Sequence, residues 1–352
     1  MMAPEGSILV TGTNGTLGFN IVSQIVGDAD RATKYYGLYT VRNVNGAAHL
    51  NAVLQKAPKT HKHDVIALQL DRLQSVREVA ADINKRVASG EIPPIRALIW
   101  NAGFQEPSTL TLTEDGYDMT FQANYLSHWL LTVLILQSMD KEHGRVVIVG
   151  SWTHDTGDER NKMGGPDYYS EEKWKTLFTD TQSLADGSYS PPASDKNGMA
   201  GMRRYGAAKL CEVMMINELQ ERLDKDPELS NISVIGVDPR GMMTQLMRRR
   251  SSWLTNPLVV SLIMVPLTYL WSLLDSNSIL RPPSRSAYDV LRGALVSTPP
   301  FSERPKRLYF DGHKPASVGE EARDTAKTKA LWQDSVKLTN LKEGETILKT
   351  WN

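Results

Sequence analysis

Short apolar runs, rich in β-branched residues, recur along the chain at 7–10, 37–41, 65–70, 95–100, 145–149, 232–237 and 307–310. Each has the length of a strand, and several are apolar at nearly every position, as a strand buried on both faces must be. Segments with helical period lie between several of them. Val76, Val79, Ala80, Ile83 and Val87 step by three and four, which puts their side chains on one stripe. Strands that alternate with amphipathic helices predict an α/β fold, a parallel sheet of about seven strands with helices on both faces. The chain of 352 residues reads as one domain, because α/β folds of this kind run to such lengths with insertions.

Two stretches break the rhythm. From 152 to 204 the sequence is rich in Gly, Pro, Asp, Ser and Tyr without clear periodicity, and reads as a long, partly structured insertion. From 251 to 274 it carries no charge, and this segment includes Trp253, Leu254 and Pro266. About 20 apolar residues can span a bilayer. A single crossing here would place the strands at 232–237 and 307–310 on opposite sides of a membrane, so a spanning helix is not expected. The segment is expected to form a lid over a pocket or an element lying at a membrane interface, with Arg248, Arg249 and Arg250 before it able to meet headgroups. The last part, 312–352, is expected to be a helical extension, with a docked helix at 320–341.

Charge and cysteine usage narrow the function. Forty Lys plus Arg balance forty Asp plus Glu, so no overall field attracts nucleic acid. Cys211 is the single cysteine, and the N-terminal MMAPEGSILV has neither the basic region nor the apolar run of a signal peptide, so a reducing compartment, the cytosol, is expected. Cys211 is expected to be packed rather than reactive. His61 and His63 lack a third ligand nearby and are expected to be solvated, with no metal bound. His128 and His154 flank the site described next and are expected to be packing residues.

After the first strand comes Thr11-Gly12-Thr13-Asn14-Gly15-Thr16-Leu17-Gly18, followed by a helical stripe. Strand, glycine turn and helix in that order suit a pyrophosphate: glycines permit the tight turn and close approach, and the helix start offers unpaired N–H groups. At the end of the second strand Arg42 stands where a carboxylate would select ribose hydroxyls, and no Asp or Glu competes with it. A 2′-phosphate, and hence NADP(H), is favoured. Further along, Tyr205 and Lys209 lie four apart on one helix face. An ammonium beside a phenol is expected to draw its pKa down from near 10 toward the working range and make it a proton donor.

These motifs together resemble the short-chain dehydrogenase/reductase family over nearly the whole chain. Gly12, Gly15 and Gly18, with Thr13, Asn14 and Leu17, look like its glycine turn. Asp71 resembles the acid beside adenine, and Asn101-Ala102-Gly103 the motif that closes the fourth strand. Asn124, Ser151, Tyr205 and Lys209 resemble its catalytic tetrad. The resemblance implies a Rossmann-type doubly wound sheet and hydride transfer between NADPH and a carbonyl carbon, with Tyr205 as proton donor. It implies that Lys209 holds the ribose and acidifies Tyr205, that Ser151 donates to the carbonyl oxygen, and that Asn124 fixes a water beside Lys209. Pro239 and Thr244 would complete the cofactor site. Arg240 departs from the pattern, standing where a glycine is usual; a residue with a Cβ is costly there if φ is positive. Trp100 stands where asparagine is common, which packing would make harmless.

The glycine turn, residues 121–125 and the apolar 251–274 stretch look most like fungal 3-ketosteroid reductases and related fungal ketoreductases of polyketide or terpenoid pathways, and 320–341 resembles the terminal helix of retinol-dehydrogenase-like members. A bulky hydrophobic carbonyl substrate is therefore expected, reached in the cytoplasm or at the endoplasmic reticulum surface, and a homodimer is compatible with this. Two other readings stay open: an alcohol dehydrogenase of the same fold working oxidatively, and a regulator that senses dinucleotide without turnover.

Overall fold

A computed structural model of the chain describes residues 4–163, 167–194, 199–242 and 265–352. Eight strands form one sheet: β1 (Gly6–Val10), β2 (Tyr35–Val41), β3 (His63–Ala67), β4 (Ile95–Trp100), β5 (Arg145–Val149), β6 (Ser233–Asp238), β7 (Leu308–Asp311) and β8 (Lys314–Ala316). Their order is β3-β2-β1-β4-β5-β6-β7-β8, and every pairing is parallel except β7 with β8. The order reverses direction between β1 and β4. A crevice opens at that switch point, above the C-terminal strand ends, and ligands of such sheets bind there.

The sheet is as expected, mostly parallel with helices on both faces, and has one strand beyond the seven apolar runs. The extra strand closes a tight hairpin on Gly312, whose φ is +64°. Its residues Lys314, Pro315 and Ala316 are all exposed, so no apolar run announces it. The third strand also starts two residues earlier than expected and is half-buried, as befits a sheet edge.

Alternation along the central strands divides the core into two layers. Leu9, Leu38, Leu98, Val146 and Ile148 face one side, where they meet helices α2 (Leu73–Ala88), α3 (Ser127–Ile135) and α4 (Ala200–Asp224). Ile8, Val10, Ile99, Val147 and Val149 face the other, against α1 (Thr16–Val26) and α6 (Pro283–Leu295). The stripe read at Val76, Val79, Ala80 and Ile83 is the buried face of α2. Helix α4 is buried on nearly every side, because the sheet lies under it and a C-terminal helix, α7 (Thr325–Leu338), lies over it. Trp332 of α7 is fully buried, edge-on to Trp129 of α3 at 5.1 Å, so the expected docked helix is present.

The 152–204 insertion is packed more tightly than its composition suggests. Tyr168, Tyr169, Trp174, Leu177, Phe178, Leu184 and Tyr189 join the core layer of α4. Helix α4 begins at Ala200, five residues before Tyr205, because Arg203 stacks over Trp174 at 4.1 Å and Arg204 meets the buried Asp118 at 3.3 Å.

Part of the uncharged segment falls in helix α5 (Val265–Leu274), which presents Tyr269, Leu270, Trp271, Leu273 and Leu274 to solvent, the last two about four-fifths exposed at 83% and 80%. Among the described residues no helix is long and apolar enough to cross a membrane. Arg248, Arg249, Arg250, Trp253, Leu254 and the rest of 251–264 lie outside the described residues, as does Thr244.

Candidate functional site

Thr11 follows the first strand, and its hydroxyl organises the turn. It accepts from the backbone N–H of Asn101 at 3.0 Å and of Ala102 at 2.9 Å. With both lone pairs taken, its proton goes to His128 Nε2 at 2.8 Å, and His128 Nδ1 donates in turn to the Asn124 carbonyl at 2.7 Å. His128 is therefore a neutral packing residue, as expected. Burial pushes its pKa down to about 4. This side chain ties the glycine turn to the helix that carries Asn124.

Gly12 has φ +67°, and a Cβ there would sit 2.8 Å from Ala102. A Cβ on Gly18 would lie 2.4 Å from the Gly12 carbonyl and 2.7 Å from Thr13 Cα, so helix and turn touch backbone to backbone. Gly15 precedes α1 and meets nothing nearer than the Gly12 carbonyl at 3.3 Å, which leaves space above the helix start. Thr13 holds the turn to β2 by donating from both its N–H and its hydroxyl to the Thr40 carbonyl. Asn14 Oδ1 accepts from the N–H groups of His49 and Leu50, and Leu17 is buried in the core. The side chains of Thr13, Asn14 and Leu17 therefore build the turn, and what they offer a ligand is backbone.

Asn101 donates from Nδ2 to the carbonyls of Thr11 at 2.7 Å and Gly12 at 3.2 Å, and its Oδ1 is buried with no hydrogen-bond partner among the described residues. Ala102 backs Gly12, and Gly103 lies beside the Asn124 amide. Arg42 is exposed at the end of β2, and Asp71 is half-buried after β3. A helix start with open glycine, a lone buried acceptor and an exposed cation at the β2 end fit a phosphorylated dinucleotide.

Asn124 lies in a π-helical turn, Gln122–Leu126, just before α3. Its Oδ1 accepts from Phe104 N–H at 2.8 Å, and its Nδ2 donates to the Phe104 and Thr120 carbonyls at 2.9 and 2.7 Å. The amide holds this kink to the loop after β4, and Oδ1 keeps a second lone pair beyond its bond from Phe104.

Ser151 follows β5, extended, and its hydroxyl accepts from the N–H and hydroxyl of Thr153. It also stabilises the ionised form of Tyr205. Tyr205 and Lys209 lie on α4 as their spacing predicts, with Lys209 Nζ 5.7 Å from the centre of the tyrosine ring. The expected direction of the phenol pKa is corrected: burial raises it, Lys209 opposes this, and Glu212 and Asp238 reinforce it. Tyr205 accordingly stays protonated at neutral pH, the form that can donate. Gly206 is a close-approach point, since a Cβ there would meet the Tyr169 hydroxyl and the Thr153 carbonyl. The insertion is thus seated directly on helix α4, which carries Tyr205 and Lys209.

Arg240 has φ +61°, the left-handed conformation that glycine would take there without strain. Its guanidinium grips Asp311 of β7 through two bonds of 2.8 and 2.6 Å, and its N–H donates to Asp238 Oδ1 at 2.7 Å. The backbone geometry is kept, with ion pairing in place of conformational freedom. The Pro239 carbonyl accepts from Ser286 at 2.6 Å and faces α6. Trp100 packs as expected, donating to Thr132 at 2.9 Å. His154 bridges the Ser151 carbonyl and the Gly319 N–H. His61 corrects its expectation: it is buried, bonded to Tyr39 and the Ala32 carbonyl. Cys211 is buried, as expected.

Residues 7–163 match the family model for short chain dehydrogenase. The chain is 46% identical to the short-chain dehydrogenase iccH of Talaromyces variabilis over 99% of its own length and 100% of that protein's. The chain belongs to the short-chain dehydrogenase family. Within that family it is 27% identical to human retinol dehydrogenase 13, over 80% of this chain and 71% of that one. The NADPH-bound carbonyl reductase from chicken fatty liver shares its fold, with a TM-score of 0.56, 13% identity and coverage of 90% of this chain and all of that one.

The sequence reading missed a buried partner of Lys209. Lys209 Nζ donates to the Val149 carbonyl and to Glu212 Oε2, each at 2.9 Å. Glu212 lies three residues on, a spacing that puts it beside Lys209 on a helix and was visible in the sequence. Burial works to lower the Lys209 pKa, yet Glu212 and Tyr205 raise it on balance, so it remains an ammonium.

Proposed function

We propose that this short-chain dehydrogenase is an NADPH-dependent reductase that converts a ketone or aldehyde of a bulky hydrophobic metabolite, of steroid, terpenoid or polyketide type, to an alcohol. The observation that carries the reading is that Ser151 and Lys209 both act on Tyr205 just beyond β5, whose last carbonyl, that of Val149, holds Lys209 Nζ at 2.9 Å. The carbonyl reductase of like fold, which is NADPH-bound, supports the cofactor assignment, as does the exposed Arg42 with no acid beside it in sequence.

Bound NADPH supplies the hydride. The chain's own residues do the rest. The turn at Gly12, Gly15 and Gly18, with Asn101, holds the dinucleotide, and Arg42 meets its 2′-phosphate. Asp71 flanks the adenine, and the third N–H of Lys209, beyond those on Val149 and Glu212, is left for a ribose hydroxyl. Ser151 donates to the carbonyl oxygen as charge develops, and Tyr205 hands over its proton to make the alcohol. The apolar 251–274 stretch and the aromatic insertion suit a lipophilic substrate, since burial of apolar area drives such binding.

The test is turnover of purified protein with NADPH and with NADH, each against steroid, polyketide and terpenoid ketones. Reduction that prefers NADPH is expected. A clear preference for NADH, or no reduction of any ketone by a protein that binds the cofactor, contradicts the reading.

A further inference from the structure

The turn after β5 holds Ser151 by two separate means. Ser151 caps one turn of 3₁₀ helix, Trp152–His154. Its hydroxyl accepts from the Thr153 N–H at 3.3 Å and the Thr153 hydroxyl at 3.0 Å, so both lone pairs are engaged and its own proton is the one left to give. Its carbonyl is held by His154 twice, by the backbone N–H at 3.1 Å and by ring Nδ1 at 2.6 Å.

The other ring nitrogen reaches a distant part of the chain. His154 Nε2 lies 3.0 Å from the N–H of Gly319, 165 residues away. A backbone N–H can only donate, so Nε2 accepts, the ring carries its proton on Nδ1, and Nδ1 donates to the Ser151 carbonyl. Burial lowers the His154 pKa, which keeps the ring neutral as this pattern requires. His154 is 4% exposed and stands edge-on to Tyr309 at 5.4 Å. Phenylalanine would serve that packing alone. A polar ring is costly to bury unless its nitrogens are bonded, and here both bonds go to backbone, one at Ser151 and one in the C-terminal segment.

Gly319 lies in the stretch that leads from β8 into α7. A Cβ there would sit 3.0 Å from both Cβ and Cγ of Asp155, so the stretch passes close over the residue after His154. Two residues on, the Glu321 carboxylate accepts from the N–H groups of Leu177 at 2.9 Å and Phe178 at 3.0 Å in the insertion, and Ala322 is fully buried. The helix that follows is fixed in turn, with Ser335 bonded to the Tyr125 hydroxyl at 2.7 Å. The C-terminal segment is thus anchored to the insertion and, through one imidazole, to the backbone of Ser151.

We infer that His154 is a positioning residue, which fixes the backbone of Ser151 and makes the docked segment 317–324 part of the candidate site. The inference rests on the reading of Ser151 as donor to the carbonyl oxygen. Such a donor must sit within about 0.5 Å of its productive place, and a displaced one costs rate more than binding.

The variant His154→Phe keeps an aromatic ring against Tyr309 and removes both bonds. Its kcat for a ketone that the parent reduces is expected to fall about tenfold, with KM and NADPH affinity within about twofold of the parent. His154→Asn, whose amide N–H can take the place of Nδ1–H but does not reach Gly319, is expected to fall between the two and serves if phenylalanine prevents folding. The deciding comparison is made on Ser151→Ala. Because His154 acts through Ser151, adding the His154 substitution to Ser151→Ala is expected to slow turnover by less than about twofold more, whereas a general loss of structure would multiply the two effects. Parental kcat in folded His154→Phe and His154→Asn overturns the inference, as does an undiminished further fall on the Ser151→Ala background. Failure of the underlying reading is separate and shows as parental turnover in Ser151→Ala.

Discussion

The two halves of the sheet build their parts of the site by different means. On the β1–β4 side the candidate ligand surface is backbone, shaped by absent side chains: Gly12 against Ala102, Gly18 against Gly12 and Thr13. On the β5–β7 side it is shaped by buried charges: Lys209 on Glu212, Asp238 near Arg160, and Arg240 on Asp311. Steric constraint tolerates no substitution but needs no partner. Electrostatic constraint needs every partner, and it makes proton affinity adjustable where the chemistry is.

The sharpest test of that contrast is Gly18→Ala. The added methyl would sit 2.4 Å from the Gly12 carbonyl, with backbone rather than a yielding side chain opposite. A loss of about 3 kcal/mol in stability is expected, as for severe overpacking, together with weakened dinucleotide binding. Denaturant unfolding and NADPH titration measure both. Next in size, Arg42→Ala is expected to weaken NADPH about tenfold, or about 1.4 kcal/mol, and leave NADH unchanged. Parallel titrations of the two cofactors decide it.

On the other side, Arg240→Gly and Arg240→Ala both lose the Asp311 ion pair, but only alanine keeps a Cβ at φ +61°. The glycine variant is expected to be the more stable of the two by about 1 kcal/mol by denaturant unfolding. The smallest effect concerns His128. Its folded pKa of about 4 lies below the unfolded value, so its contribution to stability is complete above about pH 6.5 and is lost as pH falls toward 4. The difference in melting temperature between the parent and His128→Phe is expected to be largest at pH 7 and to shrink toward pH 4.

The same division explains what could be read from the sequence. Strands β4 and β5 coincide with their apolar runs, and β1, β2, β6 and β7 fall within two residues of theirs, because interior strands must be apolar on both faces. Strand β8 was illegible, since Lys314, Pro315 and Ala316 are exposed and pair through backbone alone. The start of α4 was hidden because Arg203 and Arg204 look like loop residues until Trp174 and Asp118 are placed beside them. The candidate site residues, from Gly12 to Lys209, could be named in order from their types and spacing. Their electrostatics could not be read that way. The upward pull on Tyr205 comes from burial and from Glu212 and Asp238, and Asp238 reaches it only across the fold.

The claim on which the functional account stands is that Tyr205 supplies the proton. The direct measurement is the rate of ketone reduction by Tyr205→Phe with NADPH bound as tightly as by the parent. The account predicts a fall of about 10²-fold or more. Reduction at the parental rate with intact NADPH binding would contradict it.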